Sequence, residues 1–161
     1  HDLRGLLGDV GGGVHRDPDV RRVQRGRVVD AVAQVADDVA RLAQGAYRYL
    51  PEAHALHRTG AQTTTEGLQS AALGQASLGM ASAVVAITAV EARSAAKYGH
   101  RAPRSAAFET GAASQNLALQ AVALGLGSLV VGGFDDEAVG RALQLPVGER
   151  PLVLMPVGAP A

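Results

Sequence analysis

Two long uncharged windows, residues 71–90 and 110–134, limit what this chain can fold into more than any other feature. Each begins with apolar residues at helical spacing and ends in a β-branched run. Both carry Gln, Ser or Thr together with several glycines. A membrane span keeps one apolar character along its length, whereas a change of period midway marks a buried helix followed by a buried strand. The chain is therefore expected to pack helices on a small sheet, with no membrane partner.

The 161 residues suffice for one domain with a substantial core. Only 3% of them are aromatic, so that core has to be built from Ala, Val and Leu. Fifteen basic residues balance 15 acidic ones, which removes any whole-chain argument for nucleic acid or membrane binding. The absence of cysteine excludes disulfides, thiolate-held metals and a thiol nucleophile, and is compatible with a reduced, cytoplasmic setting. The five histidines are scattered, and no metal site is expected. Residues 1–27, with three consecutive glycines and a run of arginines, read as a flexible basic arm or divergent remnant without a secretory leader.

Residues 28–43 are ambiguous between a helix and a strand with a turn. Residues 45–60 read as a hairpin turning at Pro51-Glu52-Ala53, with Tyr47 and Tyr49 on one face. Thr65 is expected to cap a helix running to Gly79, followed by a buried strand over 83–90. After a polar segment, the longest helix spans 102–124, with Pro103 in its first turn and Gly125 and Gly127 ending it. A short strand over 128–131, a helix over 135–143 capped by Asp135 or Asp136, and a strand over 151–157 complete an α+β domain.

Chemistry concentrates in residues 97–136. Lys97 is the one lysine beside fourteen arginines, and an amine can lose its proton where a guanidinium cannot. Next to Tyr98, at the edge of a buried site, it would form a proton-handling pair. Gly132-Gly133, after a strand and before a helix, lets the backbone approach a flat ring, although an ordinary tight turn uses glycine in the same way. Gln115 and Asn116 interrupt an apolar helix; as buried amides they would either tie helix to sheet or line a ligand site.

Five segments in this order resemble the nitroreductase-like flavoproteins of the SagB type, the azoline dehydrogenase branch. They are GAYRYLPEAHAL at 45–56, KYGHRA at 97–102, ETGAASQNLALQAVALGLGS at 109–128, VGGFDDEAV at 131–139 and ERPLVLMPVG at 149–158. The resemblance implies a nitroreductase fold over a partial domain, 28–161, with a mixed, mainly antiparallel sheet wrapped by helices. It also implies a homodimer through the long helices, or a dimer with a longer homologue, with FMN at the interface. Gly132, Gly133, Gln115 and Asn116 would contact the cofactor. Lys97 and Tyr98 would assist proton removal while hydride passes to the flavin, oxidising a peptide thiazoline or oxazoline to an azole.

The branch's N-terminal Arg-x-Ser-x-Arg phosphate grip has no match, nor does its Pro-Ser-Ala-Gly-Ala-Leu-Tyr-Pro stretch, so the chain reads as N-terminally truncated or divergent. A phosphate dianion needs several charge-assisted contacts. The alternative expectation is therefore a catalytically impaired scaffold or partner subunit that binds FMN weakly or not at all.

Overall fold

The computed structural model describes residues 29–36, 39 and 42–160, so the basic arm expected over 1–27 lies outside the described residues. The strands are β1 (Val29–Ala36), β2 (Gly45–Leu50), β3 (Ala55–Arg58), β4 (Ala83–Val90), β5 (Gly127–Ser128) and β6 (Glu149–Gly158). The helices are α1 (Thr65–Ala71), α2 (Ala76–Gly79), α3 (Glu91–Tyr98), α4 (Ala102–Ala123) and α5 (Asp136–Ala142). The strands form one sheet in the order β3-β2-β1-β4-β6-β5. Every pairing between its strands is antiparallel. The α+β class and the nitroreductase fold expected from sequence are those observed, but the sheet expected to be mixed is antiparallel throughout among the described strands, because each strand is paired with neighbours running the other way. The ambiguous 28–43 segment contributes β1, at the middle of the sheet.

β4 is central because AVVAITAV offers β-branched and small apolar side chains to both faces, and seven of its eight residues are buried. Val84 and Ala86 point into a core shared with Leu68 of α1, Leu78 of α2 and Val139 of α5. Val85 and Ile87 point the other way, against Ala121 of α4 and Met155 and Val157 of β6. The sheet is thus covered on one face by α1, α2 and α5, and on the other by α4.

β6 carries an extra residue. Ile87 faces Val153 but the next residue, Thr88, faces Pro151, so Leu152 is a bulge. Beyond it, Glu149 lies on the α1/α5 face. There Arg48 donates two hydrogen bonds to its carboxylate, at 3.2 and 3.1 Å, and Thr88 Oγ1 donates a third. The Glu149 side chain is 3% exposed and that of Arg48 28%. This ion pair reaches from β2 to β6, across the two strands between them.

Local departures from the sequence reading have identifiable causes. The helix expected over 65–79 is two helices, broken where Leu73 and Gly74 take positive φ of 58° and 78°. Thr64, not Thr65, is its N-cap, with Oγ1 accepting from Gly67 N at 3.2 Å, while Thr65 is buried. The polar segment after β4 is helical, as α3. Gly125 alone supplies the left-handed residue after α4 (φ 71°), because Gly127 belongs to β5. Asp135 caps α5, accepting from Ala138 N at 2.8 Å. The strand expected over 128–131 pairs continuously only at Gly127 and Ser128, then rejoins β6 through a single bridge, Val131 to Leu154.

α4 reverses the usual helix polarity. Its buried stripe is Ala102, Ala106, Thr110, Ser114 and Ala121, mostly at i, i+4 spacing, and these small residues let the helix lie close to the sheet. Its exposed stripe contains Phe108, Leu119 and Val122, which are 66%, 59% and 72% exposed. Among the described residues, no helix is long and apolar enough to cross a membrane.

Candidate functional site

The antiparallel chain path returns α4 over the β5–β6 edge of the sheet, and a cleft of about 380 Å³ lies between them. Pro103, Ala107, Thr110, Gly111, Ser114 and Gln115 line it from α4, facing Val130 and the β6 residues Arg150, Leu152 and Val153. The bulge is what presents Leu152 and Val153 together on this face. The detachment of β5 from β6 between Ser128 and Val131 leaves Val130 at the mouth. The volume falls within the range of ordinary ligand sites, about 300–1,000 Å³, and the lining is largely apolar with a few polar groups, as such sites are.

Two of those polar groups are unusual. Thr110 Oγ1 and Ser114 Oγ are buried and have no hydrogen-bond partner among the described residues. Buried hydroxyls are normally satisfied, and an unmet one carries a desolvation penalty of about 1–3 kcal/mol. Arg150, the cleft's one cationic residue among those described, is already paired with Glu91.

The residues singled out from sequence distribute unevenly around the cleft. Gln115 lines it, at the exposed rim rather than buried as expected. Asn116 is also exposed and is not part of the lining, since a neighbouring helix position points about 100° away. Tyr98 ends α3 half-buried, packed like Leu152 against Ala89 and Ala106, and does not itself line the cleft. Lys97 is exposed, its Nζ 5.0 Å from the centre of the Tyr98 ring. Thr110 and Ser114 do not stand out in the sequence as Gln115 and Asn116 do. Their one-turn spacing, in phase with Ala102 and Ala106, is the signal the sequence carries.

Gly132 and Gly133 follow Val130 around the end of the edge strand and are exposed. A Cβ at Gly132 would meet nothing within 4 Å, so its backbone is open to a ligand. Gly133 is fixed from behind: Gln75 Nε2, between α1 and α2, donates to its carbonyl. The peptide is trans, so the N–H of Phe134 points away from Gln75. Gln75→Leu is expected to destabilise the fold by about 1 kcal/mol and to speed amide exchange over 132–134. Unaltered exchange there would mean that the turn is held by other contacts.

Two of these features suit the ring end of a flavin, an apolar slot and open glycine backbone near its mouth. They do not provide for its phosphate, because the described part of the cleft has no second cation beside the already paired Arg150. Among the described residues no group of His, Asp and Glu is placed to hold a metal.

The Nitroreductase family model matches residues 19–159. A Methanocaldococcus jannaschii protein assigned to the nitroreductases is 38% identical over 121 residues, covering 75% of this chain and 60% of that protein. The crystal structure of an Anabaena variabilis protein, likewise assigned, is 29% identical with a TM-score of 0.78, over 83% of this chain and 27% of that one. The Escherichia coli microcin synthetase McbBCD complex, with truncated pro-MccB17 bound, gives a TM-score of 0.79 at 24% identity, over 99% of this chain and 63% of that chain. At that identity the likeness carries the fold alone. The chain spans less than two thirds of each of these proteins. A match extending over 141 of 161 residues, on a fold shared with solved members, establishes that this chain belongs to the nitroreductase family.

Proposed function

We propose that the chain forms the ring-binding part of an FMN-dependent oxidoreductase that works as a homodimer or with a longer homologue. The proposed reaction is dehydrogenation of a peptide thiazoline or oxazoline to the azole, in the cytoplasm. The carrying observation is the α4 cleft, a largely apolar slot of ligand size, with the open Gly132 backbone two residues on from Val130 at its mouth. When bound, FMN supplies the two-electron acceptor for a substrate hydride.

The protein's own groups orient substrate and manage protons. Tyr98 packs, as the cleft residue Leu152 does, against Ala89 and Ala106, and Lys97 lies against its ring. Lys97 receives the proton lost from the azoline carbon, directly or through the Tyr98 hydroxyl. Gly132 and Gly133 lie along the flavin ring, and Gln115, with Asn116 beside it, borders the site from α4. A second protomer on the exposed α4 stripe covers Lys97 and closes the slot. The azoline substrate class is supported by the KYGHRA and VGGFDDEAV segments.

Purified protein is expected to take up added FMN and to show flavin absorbance that bleaches with reductant. Lys97→Ala is expected to lower azole formation by about 10²–10⁴-fold with flavin content unchanged, the range for a lost general base. Unchanged turnover would remove Lys97 from proton handling. A colourless protein that takes up no FMN would favour the second reading, an impaired scaffold subunit. The observation on that side is the lack of a cation cluster at the cleft among the described residues.

A further inference from the structure

We infer that the turn joining α3 to α4 docks an acidic peptide segment, so that the substrate peptides carry carboxylates close to their heterocycle; the link to substrate rests on the reaction proposed above. Lys97, His100, Arg101 and Arg104 are all exposed there, and no Asp or Glu occurs from 92 to 108. The other described arginines are engaged. Arg48 pairs with Glu149, Arg141 with Glu137 and Arg150 with Glu91, Arg58 donates to the Gln44 carbonyl, and Arg93 is likewise partnered. Lys97, Arg101 and Arg104 have neither a hydrogen bond nor an ion pair with any described residue. Lys97 and Arg104 instead lie over rings, 5.0 Å from the centre of Tyr98 and 5.3 Å from that of Phe108.

Like charges gathered without counter-charges repel, and the helix start adds to the repulsion. The first turn of the 22-residue α4, the positive end of its dipole, has no side-chain cap and no acid, and Arg101 and Arg104 sit there. An anion relieves both effects. The cations are spread over two helices and the turn between them, which suits carboxylates spaced along an extended chain. Pro103, between Arg101 and Arg104, lines the α4 cleft, so a heterocycle in the cleft leaves its neighbouring residues at this turn. An extended chain advances about 3.3 Å per residue, which puts those carboxylates within roughly four residues of the ring. Lys97, which the proposed dimer covers, is the inner end of the patch. Arg101 and Arg104, ahead of Phe108 at the start of α4, are its outer end.

The test follows the fluorescence anisotropy of two dye-labelled thiazoline peptides, one flanked by glutamates and the other by glutamines in their place. Each is titrated with the whole wild-type chain and with Arg101→Gln/Arg104→Gln. The wild type is expected to bind the glutamate peptide about tenfold more tightly than its counterpart, as a few exposed charge pairs allow. That advantage should shrink as salt is raised, because exposed charges are screened. In the double variant it should fall to about twofold or less.

Equal binding of the two peptides by the wild type, or a preference that survives in the double variant, would overturn the inference. Displacement of the glutamate peptide by FMN but not by lumiflavin would also overturn it, giving the turn to the cofactor's phosphate. Binding to phosphatidylserine vesicles that the peptide does not compete away would give it to a lipid surface. Azole formation is followed in parallel with FMN supplied. If neither peptide is oxidised while the glutamate preference holds, the dehydrogenase reading falls with the substrate assignment, and the turn stands as an acidic-peptide site apart from it.

Discussion

Arg48→Ala is expected to destabilise the fold by about 3–5 kcal/mol, the usual effect of stripping one partner from a buried ion pair. For a chain of this size that lowers the unfolding midpoint by roughly 10 °C or more. Glu149→Ala should be less damaging, and the order follows from burial. Without Arg48, a carboxylate that is 3% exposed loses both guanidinium hydrogen bonds and keeps the Thr88 hydroxyl. Without Glu149, a guanidinium that is 28% exposed can turn toward water. The double variant should cost less than the two single changes added together, because the second removal relieves the charge stranded by the first. Thermal unfolding of the three variants decides it. Equal or reversed single effects would mean that Glu149 has other support in its pocket.

In the homodimer proposed above, Leu119→Glu is expected to convert the dimer into a monomer. Phe108, Ala112, Gln115, Leu119 and Val122 are all exposed and follow one another at alternating spacings of four and three, which draws one continuous stripe along α4. Covered by a second copy, Leu119 would sit near the centre of that seam and occur once on each side of it. Large apolar anchors at interface centres are worth about 2 kcal/mol or more each, and a carboxylate in their place adds a desolvation penalty. Association should weaken by at least about a hundredfold, visible in sedimentation velocity at micromolar protein. Val147→Glu, at an exposed apolar residue away from the stripe, is the control and should leave association unchanged. A Leu119→Glu protein that sediments like wild type would place the seam elsewhere.

The elements that declared themselves in sequence were those whose local signal and tertiary setting agree. β4 was read with its observed ends because a β-branched apolar run suits a strand buried on both faces. The long helix was recovered to within a residue because Pro103 and Gly125 punctuate it. Its polarity was not legible. Large apolar residues are ordinarily taken as the inward face, but here Ala, Thr and Ser pack inward while Phe108 and Leu119 face out. That inversion hid Thr110 and Ser114 and made Gln115 and Asn116 look buried. The Leu152 bulge was equally hidden, because PLVLMPV has no polar alternation whose phase could slip. The break at Leu73 escaped because leucine carries no expectation of a positive φ.

That bulge also decides where two opposite charges go. Along a strand, each residue faces opposite to the one before it, and the extra residue at 152 resets this parity for everything N-terminal to it. Glu149 is thereby delivered to Arg48 and Thr88 on one side of the sheet, and Arg150 to Glu91 on the other. Were the bulge ironed flat with every residue kept, strict alternation would make the two trade sides, sending a carboxylate toward the α4 cleft and a second guanidinium toward Arg48. Deleting Leu152 would leave a regular strand with both charges on their present sides, so what the segment requires is that an extra residue there bulges. Leu152, by stepping out of the alternation, keeps the charges of the core and the cleft apart.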